Sequence, residues 1–388
     1  MKNYWLHFGF LFLFIIGWQW GMAQNKADTR EDRLQFHGQF SGWTQYNINT
    51  SNQLNLGARY IPEIQYQVPL SKNHLLHFDA SVNLWGVGNA LFSGESDFIH
   101  HVDLYRFWVR YTTSRLEIRL GLQKINFGSA NLLRPLMWFD KIDPRDPLHL
   151  STGVYSALMR YYFSNNANLW IWALWGNKTT KGWETIPVNR KIPEFGGRFQ
   201  WPLSNGEVAL SYHHRTADSR QLTGLIPAFA KIGENRYGFD IKLDLGIGWW
   251  LEGTLTTKNK QVGFLTHQEM INTGIDYSFG IGNGLNVSLE QLLSSYDQKV
   301  FCFENPIHFT ALSASYPTGV IDNLQAILYY DWSHEGLYRF VNWSRQYNKF
   351  TLYLMVYWNP ENYQFIYRPE SGQNFAGKGI QIMIVYNH

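Results

Sequence analysis

The sequence predicts an all-β fold, a transmembrane antiparallel β-barrel of roughly eighteen strands with sixteen as the alternative. Three observations carry that expectation. From Gln35 onward the chain breaks into segments of about ten residues that alternate apolar and polar, the period of an extended strand. Aromatic residues make up 17 % and charged residues only 16 % of the chain, yet mean hydropathy is −0.29. A typical soluble domain carries about 25 % charged residues. A strand that shows lipid on one face and water on the other averages to a soluble-looking hydropathy, which reconciles the two values. The third observation is that short and long connections alternate along the chain, as between the two rims of such a barrel.

Residues 1–23 read as an export signal that is cleaved, leaving 24–388 as the barrel. Lys2 gives a positive start, Phe8 to Ile16 an apolar core, and Gly21-Met22-Ala23 a small-residue cleavage site before Gln24. The apolar run is too short for a spanning helix, which needs about twenty residues. No cysteine stands at the cleavage site, so the pattern is not that of a lipoprotein. Cys302 is the chain's only cysteine, so no internal disulfide can form. Export without disulfides fits a bacterial envelope and not a small stapled secreted domain.

The clearest strands show which faces oppose. In Arg115 to Gln123, Leu116, Ile118, Leu120 and Leu122 oppose Glu117, Arg119 and Gln123. In Asn235 to Asp244, Tyr237, Phe239, Ile241 and Leu243 oppose Asp240, Lys242 and Asp244. Ile271, Thr273, Ile275, Tyr277 and Phe279 oppose Asn272, Gly274, Asp276 and Ser278. Phe350 to Trp358 alternates equally cleanly.

Tight turns are expected near 71–73, 113–114, 165–166, 204–206, 246, 280–284, 317–323 and 346–348. Longer connections are expected at 86–98, 126–151, 177–192, 217–233, 256–266, 295–305 and 359–376. A β-propeller would repeat near forty residues, and no such repeat is present. A sandwich would need fewer strands. The chain ends on Asn387-His388 and not on an aromatic, which leaves Tyr386 as the terminal aromatic of the last strand.

The segment Gly121 to Leu150 begins as a strand and then stops alternating. It holds Pro135, Pro144 and Pro147, and the charges Arg134, Asp140, Lys141, Asp143, Arg145 and Asp146. An irregular run this long inside a domain is uncommon and usually functional or disordered. Leu132, Leu133, Leu136, Met137, Trp138 and Phe139 give it apolar surface to bury. The expectation is a loop at about 126–151 that folds inward as a constriction, the other reading being an external loop with solvated charges. Inside, Lys141 and Arg145 would pair with wall carboxylates, and Asp140 and Asp143 with wall arginines.

The run LEIRLGLQKINFGSANLL followed by DKIDPRDPL resembles the porin-like outer-membrane proteins that include alginate-export and phosphate-selective porins. The resemblance rests on Gly121-Leu122-Gln123 ending a strand and on Phe127-Gly128 leading into a charged loop, and it covers about thirty-five residues. It implies a channel and says nothing of what passes through.

Barrels of sixteen to eighteen strands leave an aqueous channel. The inward parity then makes Arg106, Trp108, Arg110, Arg119, Arg160 and Arg198 pore-lining in the first half, and Asp240, Glu252, Asp276 and Glu290 in the second. Walls of opposite sign would set a field across the pore, although Glu63, Asp79 and Glu117 interrupt the basic side. Trp170, Trp172, Trp175, Trp249, Trp250 and Trp358 are expected in the aromatic girdles at strand ends. His149 and Ser151 share a face, as a base and a hydroxyl would in a barrel acting on lipid. The pairs His100-His101 and His213-His214 point to opposite faces and chelate nothing alone. No cofactor or metal signature and no basic run suited to nucleic acid is present.

The sequence thus predicts a non-enzymatic channel in the outer membrane of a Gram-negative bacterium, passing small hydrophilic solutes, anions among them. Its expected partners are membrane lipid, lipopolysaccharide, the barrel-assembly machinery and further copies of itself. The alternatives are a barrel enzyme acting on lipid and a non-conducting assembly or adhesion barrel.

Overall fold

In the computed structural model the described residues are 33–48, 53–91, 96–222, 224, 226–304, 306–361 and 375–388. The expected export signal, 1–23, lies outside them.

Eighteen strands follow one another: β1 Leu34–Asn47, β2 Gln53–Ser71, β3 His74–Leu91, β4 Ser96–Thr112, β5 Leu116–Gln123 and β6 Val154–Tyr162. Next come β7 Asn168–Leu174, β8 Glu194–Leu203, β9 Gly206–Ala217, β10 Ile232–Asp244, β11 Gly248–Lys258 and β12 His267–Phe279. The last are β13 Leu285–Asp297, β14 Ile307–Pro317, β15 Asp322–Asp331, β16 Gly336–Gln346, β17 Phe350–Trp358 and β18 Lys378–Asn387. Each pairs antiparallel with its sequence neighbours, and β1 pairs with both β2 and β18. The sheet therefore closes on itself, with Gln39 opposite Asn387 and Asn47 opposite Gly379 at the seam. Closure removes every sheet edge, so all ladder hydrogen bonds are satisfied within the wall, the condition for spanning lipid with strands.

The pleat sorts the residues. Leu210, Phe107, Phe199, Ile271, Leu289 and Ile384 stand exposed on the outside, where a lipid bilayer would cover them. Polar residues of the opposite parity point in. The short turns lie on one rim, as at Thr113, whose hydroxyl accepts from the Leu116 N–H. Gly246 turns β10 into β11 at φ +85°, a backbone that side chains disfavour.

Two expectations need correction. Most of 86–98 is strand, because β3 runs to Leu91 and β4 begins at Ser96. Apolar–polar alternation is weak there, with Gly86, Gly88 and the His100-His101 pair breaking the pattern. The long rim also joins β1 to β2 and, at 332–335, β15 to β16, connections that the sequence pattern did not mark. Trp170, Trp172 and Trp250 are not girdle residues: Trp170 packs against the interior cluster of Phe139 and Leu158, and Trp172 and Trp250 are 1 % and 0 % exposed and face the interior. Period-two parity places them there, since Trp172 lies two residues from Leu174 and Trp250 two from Glu252, both fully buried.

Candidate constriction inside the barrel

The segment between β5 and β6 has no strand of its own. Its contacts reach round the circumference. Leu132, Leu133 and Met137 join an apolar cluster with Met270 of β12, Leu292 of β13, Phe309 of β14, Tyr329 of β15, Phe340 of β16 and Met355 of β17. Leu136, Trp138 and Phe139 pack in a second cluster with Leu158 of β6 and Trp172 of β7. Leu148 packs with Trp43 of β1, Val87 of β3 and Met383 of β18. A segment that meets all these strands of a closed cylinder runs across its bore.

Two carboxylates of the wall hold it. Glu252 on β11 accepts the N–H groups of Ser129 and of Ala130, the latter at 2.7 Å. Glu290 on β13 accepts those of Asn131, Leu132 and Leu133 at 2.8, 3.0 and 2.7 Å. Both side chains are 0 % exposed. A stretch of chain with no ladder partner must still satisfy its N–H groups, and each bond to a charged acceptor contributes about 1.5–3 kcal/mol. Gly128, at φ +99°, begins this stretch, and a Cβ there would meet Glu252 Oε1 at 2.5 Å. On β10, a Cβ at Gly238 would lie 2.6 Å from Leu136 Cδ2 and 3.0 Å from Trp138. Gly238→Val is therefore expected to unseat the apolar half of the insert while the barrel itself still forms. Increased protease cleavage within 126–151 of an intact, heat-modifiable barrel would report it.

The charges of the insert mostly pair with one another, which differs from the expected pairing with the walls. Arg134 bonds Asp140 at 3.2 Å and Asn126 Oδ1 at 2.5 Å. Arg145 grips Asp143 through Nε at 2.8 Å and Nη2 at 2.6 Å, and its guanidinium lies 5.2 Å from the Phe340 and Phe375 rings. Asp146 accepts from the Leu148 N–H at 3.0 Å, and burial raises its carboxyl pKa. Lys141 is half-buried. Short i,i+2 and i,i+6 spacings in a proline-broken chain let these pairs form locally, before any wall is reached.

The walls divide unevenly. Asp240 is taken up by Arg198 two strands away, at 2.5 and 2.8 Å, with both groups almost wholly buried. With Glu252 and Glu290 on the insert, the acidic side offers few carboxylates to a solute, and no pair of bare opposing walls results. Asp276, opposite Gly248, stays half-buried. The basic side is freer. Arg110, Arg119 and Arg160 are half-buried; Arg119 and Arg110 lie 4.7 and 5.4 Å from the Trp108 ring, and Arg160 lies 3.8 Å from that of Trp170. Glu117 bonds Arg119 at 2.9 Å. Arg106 reaches from β4 to the insert and donates to the Ser151 carbonyl at 2.9 Å and to its hydroxyl at 2.7 Å. The Ser151 hydroxyl thus faces a guanidinium, and among the described residues no bond joins it to His149, which does not suit a base-activated nucleophile.

Sequence reasoning missed a second brace. The connection 175–193 sets Trp183 Nε1 on the Arg134 carbonyl at 2.7 Å. It is pinned by a buried charge cluster. Lys181 bonds Glu184 and Glu194 at 3.0 and 2.9 Å, and Glu184 meets Arg215 at 3.4 Å and Arg236 at 3.2 Å. Arg215 in turn grips Glu234 at 2.6 Å. The signal for it was charge on inward parity near the long rim, at Arg215, Glu234 and Arg236, with Lys181 and Glu184 among the charges of the facing loop. Burial alone would push the Glu184 carboxyl up, but Arg215, Lys181 and Arg236 together outweigh it and hold it below the ordinary range.

A carboxylate depressed by folding stabilises above its unfolded value of about 4.3. That contribution is lost as pH falls through the lower folded value. Amides of 175–193 are therefore expected to stay protected from hydrogen exchange at pH 4 and to open only in stronger acid. Glu184→Gln should open them at neutral pH, since breaking a buried charge pair costs on the order of 3–5 kcal/mol. Equal protection in variant and parent at pH 7 would contradict this. Among the described residues no cluster of three or more His, Cys, Asp or Glu suits a metal ion.

No family model matches the chain, and no curated protein matches it in sequence. Solved structures of outer-membrane channels share its architecture. OccK5 (OpdH) of Pseudomonas aeruginosa is 10 % identical, with 92 % of this chain and 98 % of that one aligned and a TM-score of 0.55. For OccK7 (OpdD) of the same organism the values are 10 %, 92 %, 99 % and 0.54. For OccAB1 of Acinetobacter baumannii they are 9 %, 92 %, 96 % and 0.51. At such identities the likeness is one of fold, the porin-like closed barrel, and it does not reach the alginate-export or phosphate-selective character of the sequence resemblance.

Proposed function

We propose that this closed eighteen-stranded cylinder is a channel of the Gram-negative outer membrane for passive diffusion of small hydrophilic solutes, with a bias towards anions. The observation that carries the reading is the placement of the insert. Its apolar residues pack round most of the circumference, and beside its Leu148–Leu150 arm, next to β1, β2, β4 and the end of β18, lies a cavity of about 370 Å³ lined by Gln39, Ile61, Glu63, Tyr105, Leu148 and Leu150. Solutes would pass between the Leu148 to Ser151 arm and this wall, with Arg106 at the narrowest point and Arg110, Arg119 and Arg160 beyond it. Guanidinium groups held half out of water attract anions more strongly than freely solvated ones do. No covalent step and no cofactor takes part. Membrane lipid and lipopolysaccharide would surround the barrel, the assembly machinery would insert it, and oligomers would form through its outer face.

Proteoliposomes containing the purified protein should swell in isotonic solutions of small polar solutes, faster for monocarboxylates than for amines of equal size. A non-conducting envelope barrel is the second reading, supported by the apolar cluster that fills the β12–β17 half of the bore. Liposomes that do not swell in any small solute would select it.

A further inference from the structure

On the solute-facing wall, three inward residues lie side by side in one row. Glu63 on β2 is opposite Ser81 on β3, which is opposite Arg106 on β4. In the next row towards the short turns stand Gln65, Asp79 and Trp108. Adjacent strands are about 4.8 Å apart, so the backbones of Glu63 and Arg106 lie about 10 Å apart with the small serine between them.

Opposite charges this near would ordinarily bridge, and here they do not. Among the described residues the Arg106 side chain donates to neutral oxygens, the Tyr105 carbonyl at 2.6 Å and the two oxygens of Ser151. Glu63 and Asp79 share the amide of Gln65, at 3.4 Å from Asp79 Oδ2, and no cation pairs with either carboxyl among the described residues. Beside them, Ser81 Oγ and Asp79 Oδ1 take no hydrogen bond among the described residues, on side chains only 3 % and 7 % exposed. Buried polar groups are nearly always satisfied, so orphans beside a solute-sized cavity mark places for a ligand's own groups.

We infer that Glu63, Asp79, Ser81 and Arg106 form a binding station for zwitterionic solutes of the α-amino-acid class. The inference rests on the channel reading and adds a substrate class to it. The solute's ammonium sits on Glu63 and Asp79, its carboxylate takes Arg106 over from Ser151, and the Ser81 hydroxyl donates to that carboxylate. The solute's side chain extends into the cavity, against Ile61, Leu148 and Leu150. A simple anion gains Arg106 but meets the acidic Glu63–Asp79 pair, and a simple amine gains that pair but meets Arg106. Only a solute with both charges finds both partners.

Calorimetry on the detergent-solubilised full chain tests this without requiring conduction. The probes are L-leucine, 4-methylpentanoate (the same skeleton without the amine) and 3-methylbutylamine (without the carboxylate). Leucine is expected to bind roughly tenfold or more tightly than either analogue, the difference made by one charge-assisted contact. Glu63→Gln with Asp79→Asn should reduce leucine to the level of 4-methylpentanoate. Ser81→Val, which removes the hydroxyl and leaves every charge in place, should weaken leucine and 4-methylpentanoate alike and spare 3-methylbutylamine. A parent protein that binds 4-methylpentanoate as tightly as leucine, or binds none of the three, overturns the station and leaves the channel standing. Leucine binding without any solute flux would instead overturn the channel and keep the station.

Discussion

Replacing Glu252 and Glu290 together by alanine is expected to widen the pore. These two side chains accept five N–H groups from Ser129 to Leu133 and tie that stretch to β11 and β13. Each bond to a buried carboxylate contributes about 1.5–3 kcal/mol, and the donors left behind would be buried without partners. The insert then either leaves the bore or samples open positions, while the strand ladder, which uses only backbone groups, remains. Single-channel conductance should rise well above that of the parent and become noisier, and protease should cut within 126–151. The single variants should give intermediate effects, Glu290→Ala the larger, because it removes three bonds and Glu252→Ala two. Unchanged conductance in the double variant would mean that the insert does not limit flow.

The second large effect concerns charge. Arg106 and Arg110 are half-buried on the β4 wall, and Arg106 spans from that wall to Ser151 of the insert. Replacing both by Gln removes two positive charges and leaves Glu63, Asp79 and Glu117 on the same wall. Under a salt gradient the reversal potential is expected to move towards that of a cation-preferring pore. Its shift should shrink at high ionic strength, because a Debye length of about 3 Å at 1 M salt screens the remaining carboxylates. A reversal potential that does not move removes the arginine wall from the mechanism.

The barrel was legible in the sequence because period-two alternation acts residue by residue and needs no knowledge of partners. Asp240 and Tyr237 declare their faces through their neighbours in the chain alone. The insert was legible for the opposite reason: its prolines end alternation, and Leu132 to Phe139 demand burial. What parity could not give was pairing across space. Glu252 and Glu290 face inward as the pattern requires, yet their role depends on meeting a segment more than a hundred residues away. Trp172 and Trp250 were placed at the membrane interface by residue type, where parity would have put them inside. The brace at 175–193 was hidden because Lys181 and Glu184 look like ordinary loop charges until Arg215 and Glu234 are seen beneath them.

Purified protein in planar lipid bilayers provides the most direct test of the account. Discrete current steps, smaller than an unobstructed eighteen-stranded bore would give and favouring anions under a salt gradient, are the predicted result. A membrane that stays silent with folded protein inserted, for the parent and for the Glu252→Ala/Glu290→Ala variant alike, would contradict it.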